Sequence, residues 1–218
     1  MSTLTPYLDC VVLAAAVYPS GFGYSLFTAW RGEPRGVSTG LLAALVLPLV
    51  AVRFAVWRLR PELLTWHTPS WMMLALAFLL GPLGLGLEYL LHACATWRRS
   101  GKFARRISTQ SFWGQRLTFL DHALLVAIAV GEEIFFRAIW IGVLLAMGTP
   151  ASVALVVSSL IYGLNHMAFG PLTVLSKAVS GALYGVIYLL GGGSILLPIV
   201  AHVTQNSLLF WRTGAARD

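Results

Sequence analysis

Gly131-Glu132-Glu133-Ile134-Phe135-Phe136-Arg137 lies inside a largely apolar run from Phe119 to Met147. Each charged side chain at mid-bilayer costs roughly 2.5 to 3.5 kcal/mol on insertion scales. Three of them within six residues persist only if they pair, face a wet cavity or do chemistry. The stretch therefore sets two expectations at once, a membrane helix and a polar site inside it.

The rest of the chain supports the membrane reading. Of 218 residues, 58% are hydrophobic and 11% charged, and the mean hydropathy is +0.78. Soluble domains carry about 25% charged residues. Apolar stretches of about 20 residues separated by short polar gaps predict one polytopic helical domain, and the period-two alternation of a β-barrel is missing. The net charge of +7 would suggest nucleic acid in a soluble protein. Here the cations concentrate between apolar runs, where they report topology, and no nucleic-acid partner is expected. Arginine supplies 13 of the 15 basic residues, a bias typical of GC-rich bacterial genomes. Cys10 and Cys94 fall near opposite membrane faces in the expected topology, outside any CxxC motif, so neither a disulfide nor a redox role is assigned. The N-terminus lacks the basic region of a cleavable signal peptide, and the first apolar run is taken as retained.

The expected fold is all-α, a polytopic transmembrane bundle of about seven spans with a C-terminal four-helix catalytic core. Segment one runs from about Leu8 to Trp30, with Pro19, Gly21 and Gly23 bending but not ending it. Segment two covers about Leu41 to Trp57, and segment three Trp71 to about Trp97. Segment three carries Glu88 and His92 on one helical face, either a metal or proton site or an internally hydrogen-bonded pair. A basic connection over 98–118 reads as a cytoplasmic or headgroup-binding loop. Segment four holds Glu132; segment five runs from about Thr149 to Phe169. Segment six, about Pro171 to Leu190, has Lys177, read as snorkelling to the interface, and the GxxxG spacing of Gly181 and Gly185, which permits close helix approach. Segment seven spans Ser194 to Trp211. Loops assigned to one side carry ten Lys and Arg, against Arg58 and Arg60 opposite, which predicts N-terminus out and C-terminus in, in a bacterial inner (cytoplasmic) membrane.

Helical spacing sorts the charges. Glu133 and Arg137, four residues apart, share a face and form a charge-assisted pair. Glu132 projects about 100 degrees away and is left without that partner, which makes it the reactive carboxylate. His166, with Tyr162 one turn earlier, and His202, with Asn206 one turn later, supply an imidazole from each of two further segments. Convergence of Glu132, His166 and His202 allows either a carboxylate-activated water with an oxyanion site, or a metal held by those three residues.

The order Glu132-Glu133-x-x-x-Arg137, then Tyr162-Gly163-Leu164-Asn165-His166, then His202-x-x-x-Asn206, each on its own apolar segment, resembles the CPBP family of intramembrane proteases. That family includes the CAAX-prenyl endopeptidases and the Abi or bacteriocin-immunity proteins. The resemblance covers about 119–211, and one departure is Tyr162, where the family commonly has Phe. It implies an intramembrane endopeptidase in which Glu132 and His166 activate water, His202 and Asn206 stabilise the oxyanion, and Glu133, Arg137 and Tyr162 support the site. The expected division is 1–118 as N-terminal helices and basic loop, 119–212 as the catalytic core and 213–218 as a tail.

The expected partners are the lipid bilayer and a membrane-anchored protein or peptide: a C-terminal sorting anchor or precursor in bacteria, or a CAAX-like tail. HExxH is absent, so the glutamic mechanism without a cofactor is favoured, with a zinc-dependent version as the alternative. A non-catalytic immunity or scaffold protein, and then a transporter, are the readings from other classes. At 1.5 Å per residue Glu132 lies about 20 Å beyond Phe119, and His166 only about 7 Å before Pro171. Their meeting would require segment four to enter the bilayer after Phe119 or segment five to continue past Phe169.

Overall fold

The computed structural model describes residues 5–34, 38–64, 66–102 and 118–215. Among the described residues all regular structure is helical and there is no strand, as the apolar periodicity predicts. Most of the basic connection, residues 103–117, and the tail 216–218 lie outside the described residues, and with them much of the charge asymmetry used for topology.

The first apolar segment is two helices, α1 (Thr5–Ala15) and α2 (Pro19–Arg31). The expectation of a bent but continuous helix is corrected here. Pro19 occupies the first turn of α2, where its missing N–H removes no hydrogen bond. The helix therefore restarts at the proline. Helix α3 (Thr39–Leu59) begins at Ser38, whose side chain accepts from the Leu41 N–H, and contains Pro48. A 3-10 turn, Pro61–Leu64, follows. There Arg60 bonds Glu62, holding that carboxyl below its ordinary range, and also pairs with Asp9 of α1.

Helix α4 (Trp71–Ser100) starts at the Ser70 cap and stops at Gly101, whose φ of +66° is the left-handed conformation that glycine adopts freely. Helix α5 (Phe119–Glu133) opens with a capping box. The Thr118 hydroxyl accepts from the Asp121 N–H, and the Asp121 carboxylate accepts from the Thr118 N–H at 2.7 Å. The same carboxylate accepts from Thr39 at 2.6 Å, which ties the start of α5 to the start of α3.

Beyond Glu133 the helix continues as a π-helical stretch, Ile134–Ile141, and ends as α6 (Gly142–Ala146). All eight side chains of the π stretch are buried. It is surrounded by protein on every side and forms the centre of the largest hydrophobic core, with Val12, Leu49, Tyr162 and Ile195. After a turn at Gly148, α7 (Ala151–Leu164) runs back along it, as the contacts of Arg137 with Ser158 and of Glu132 with Asn165 show. A 3-10 turn, Met167–Phe169, leads to α8 (Pro171–Leu190), and a glycine turn leads to α9 (Leu196–Ala215).

Close approach of α7 and α8 depends on missing side chains. A Cβ on Gly163 would sit 2.6 Å from the Val174 carbonyl oxygen, one on Gly181 2.8 Å from the Tyr162 ring, and one on Gly185 2.3 Å from Leu155. The Gly181–Gly185 spacing thus does what the sequence suggested and seats α8 against the face of α7 that carries Tyr162.

Three helices, Thr39–Leu59, Trp71–Ser100 and Pro171–Leu190, are long and apolar enough to cross a membrane. Large apolar side chains cover the outside of the bundle, for example Phe78 at 57% and Leu79 at 63% exposed on α4. An apolar exterior around a polar centre fits a lipid solvent.

Candidate active site

Glu132 and Glu133 are adjacent in sequence but enter different polar networks. Glu133 is fully buried. One of its carboxylate oxygens lies 3.1 Å from Arg137 Nε, and the other accepts from His202 Nδ1 at 2.8 Å. The Arg137 contact is a charge contact with its N–H out of line, and Arg137 Nη1 donates to Ser158 at 3.3 Å. Ser158 in turn donates to the Phe136 carbonyl. Arg137 also places its guanidinium carbon 5.1 Å from the centre of the Tyr162 ring. Glu133, Arg137 and His202 thus form a buried cluster that crosslinks α5, the π stretch and α9.

Glu132 points elsewhere. Its Oε1 accepts from Asn165 Nδ2 at 3.2 Å and from Ser20 Oγ at 3.4 Å, and lies 4.0 Å from His166 Nε2. The amide of Asn165 is fixed on both sides: Oδ1 accepts from the Ser20 backbone N–H at 3.2 Å and Nδ2 donates to the Ser20 hydroxyl at 2.8 Å. No arginine or lysine neutralises Glu132 among its described contacts, unlike Glu133.

The tautomers of both histidines follow from their partners. His166 Nδ1 lies 3.0 Å from the Tyr162 carbonyl oxygen, which can only accept, so Nδ1 carries the proton and Nε2 presents its lone pair toward Glu132. His202 Nδ1 likewise donates to Glu133. A neutral His202 therefore offers an acceptor at Nε2, and it can donate to an oxyanion only as the imidazolium.

Of the residues singled out in the sequence, the structure brings together Glu132 with His166, and Glu133 with Arg137 and His202. Tyr162 lies between the two groups, its ring 5.1 Å from that of His166 and 6.1 Å from that of His202. Asn206 is half-buried on α9, one turn beyond His202. Segment four keeps its expected bounds, and the expected end of segment five is corrected. Helix α5 does start at Phe119, but α7 ends at Leu164, short of Phe169. His166 therefore follows the helix end and folds back on its last turn, at the level of the midpoint of the long α5–α6 helix.

Sequence reasoning missed Ser20 and gave Asn165 no role. The available signal was Pro19: a proline in a first helical turn leaves the next N–H without an intrahelical acceptor, and Ser20 is that residue. Also missed was the partner of Lys177. In place of snorkelling it lies 2.8 Å from Glu88, which accepts from Ser180 at 2.9 Å as well. Glu88 is thus an internal ion-pair partner, and His92 sits within its electrostatic reach.

For a zinc site, Glu132, His166 and His202 would have to converge. His202 is oriented by a carboxylate, as metal-ligating histidines often are. Yet among the described residues no group of three or more His, Cys, Asp and Glu side chains gathers with metal-binding geometry. In this conformation the donor set does not fit the ion.

Residues 115–208, which contain all of these groups except Ser20, Glu88 and His92, match a family model described as type II CAAX prenyl endopeptidase Rce1-like. Over those residues the chain is similar to that family. No curated protein and no solved structure matches the chain. That description names a family of proteases, and the match accompanies helices long and apolar enough to cross a membrane. The matched region begins just before α5 and ends within α9, so α1 to α4 lie outside the match although α2 reaches into the site through Ser20.

Proposed function

We propose that the protein is an intramembrane endopeptidase of glutamic type, in which Glu132 and His166 activate the hydrolytic water. The observation that carries this reading is the 4.0 Å gap between Glu132 Oε1 and His166 Nε2. Both atoms are acceptors and cannot bond each other directly. A water about 2.8 Å from each would see them at an angle of about 90°, close to the spread of its own two hydrogens. Its oxygen lone pairs would then be free to attack.

In the proposed reaction the water oxygen bonds to the scissile carbonyl carbon as Glu132 takes one of its protons. The carbonyl π electrons move onto oxygen. Collapse of the tetrahedral intermediate breaks the C–N bond, and the proton held by Glu132 passes to the leaving amine. Ser20 and Asn165 orient Glu132, and His166 holds the water by its second hydrogen. Glu133 and Arg137 keep His202 in place, with His202, when protonated, and Asn206 facing the developing oxyanion. Low dielectric around the carboxylate makes proton transfer by a single positioned group worth about 10² to 10⁴-fold.

The proposed substrate is a membrane-anchored protein or peptide, such as a C-terminal sorting anchor or precursor in a bacterial inner membrane, delivered by its own apolar segment. The test compares the C-terminal peptides of membrane proteins in cells producing the wild-type chain or Glu132→Gln at equal levels. Processing events should fall away with Glu132→Gln, about 10² to 10⁴-fold slower for a purified substrate. Identical peptide profiles would refute the protease reading. Loss of activity on chelation with recovery on added zinc would refute the metal-free mechanism alone.

A further inference from the structure

Tyr162 is fully buried, yet its hydroxyl has no hydrogen-bond partner among the described residues. A phenylalanine would fill the same space without burying an O–H. Leaving a buried donor unmade costs about 1 to 3 kcal/mol, so the hydroxyl is a poor choice for packing alone. Its surroundings are those of the site. The ring packs edge-on to Phe136 at 5.2 Å and to His166 at 5.1 Å, and carries the Arg137 guanidinium against its face. Glu132 and Glu133 both lie within electrostatic reach of the phenol oxygen.

Beside the Asn206 amide on α9, the groups around it offer few free donors. Both histidines spend their Nδ1 protons on fixed acceptors, the Tyr162 carbonyl and Glu133. When neutral, each presents a lone pair at Nε2. The Asn165 amide is committed to Ser20 and Glu132. Amide hydrolysis nonetheless places a full negative charge on the former carbonyl oxygen, which must be met by hydrogen-bond donors.

Resting on the protease reading above, we infer that the Tyr162 hydroxyl is a catalytic donor, hydrogen-bonded to the substrate carbonyl oxygen as it becomes the oxyanion. No proton leaves the phenol. The hydrogen bond strengthens as the carbonyl electron pair localises on oxygen and relaxes when the C–N bond breaks.

Removing one oxyanion donor lowers kcat by about 10² to 10³-fold. Tyr162→Phe is therefore expected to process Glu132-dependent substrates about 10²-fold more slowly with KM unchanged, while unfolding at the same or a higher temperature than wild type. Fluorotyrosine at position 162, a stronger donor, should restore the rate or exceed it. The inference is overturned if Tyr162→Phe cleaves within about twofold of wild type, or if its rate loss is matched by a loss of stability that fluorotyrosine does not reverse. Glu132→Gln in the same assay separates the two ideas. If Glu132→Gln abolishes cleavage and Tyr162→Phe does not, the tyrosine assignment alone fails; if neither variant alters cleavage, the protease reading fails as well.

Discussion

Arg137→Met should be among the most damaging single substitutions in the chain. Methionine keeps the length of the stem, so the change removes charge and hydrogen bonding with little loss of volume. Arg137 and Glu133 are both 0% exposed, 3.1 Å apart, and Glu133 keeps only the His202 N–H once the guanidinium is gone. Breaking a buried pair by removing one partner costs about 3 to 5 kcal/mol, whereas replacing both partners with groups of similar volume is often close to neutral. Arg137→Met is thus expected to shift the folding equilibrium by two to nearly four orders of magnitude, at about 1.4 kcal/mol per factor of ten. Glu133→Gln with Arg137→Met should recover at least about 2 kcal/mol of that loss. Reversible denaturant unfolding of wild type, both single variants and the double variant in one detergent supplies the double-mutant cycle. A single-variant loss under about 1 kcal/mol, or a double variant no more stable than Arg137→Met, would show that the pair is not the buried electrostatic unit described above.

Three further outcomes follow from particular contacts. Gly163→Ala puts a methyl 2.6 Å from the Val174 carbonyl oxygen, an atom of helical backbone that cannot swing aside, and should destabilise by about 1 to 3 kcal/mol in thermal unfolding while lowering activity through His166. Ser20→Ala removes the hydroxyl bonded to Glu132 and Asn165 but keeps the Ser20 N–H contact; kcat should fall by about tenfold with stability changed by less than about 1.5 kcal/mol, and an unchanged kcat would remove α2 from the site. Lys177→Met leaves the half-buried Glu88 carboxylate with neutral donors, so adding Glu88→Gln to that variant should raise its unfolding midpoint rather than lower it further.

Much of the site was legible because intramembrane polarity is costly and therefore sparse. The four-residue spacing of Glu133 and Arg137 located their pair, and the 100 degree offset of Glu132 separated it from that pair, since both follow from a local helical period. The glycines at 181 and 185 announced a close contact for the same reason. Lys177 went astray because its position near a helix end suits an interfacial cation, whereas its Glu88 partner is 89 residues away and has no trace in the local pattern. The π-helical stretch has no residue signal either, as its bonding is set by packing on all sides.

From the sequence alone came the membrane class, the helical architecture, the resemblance to intramembrane proteases and the identity of the polar groups, because composition, period and motif spacing are properties of short segments. Tertiary structure alone decided how those groups divide. It placed a helix break at Pro19 beside Glu132, ended α7 early enough for His166 to meet the middle of the α5–α6 helix, and turned His202 toward Glu133. It also left the Tyr162 hydroxyl without a partner among the described residues. Each of these depends on which helices are neighbours and at what depth they meet, and that is fixed by packing between residues far apart in the chain.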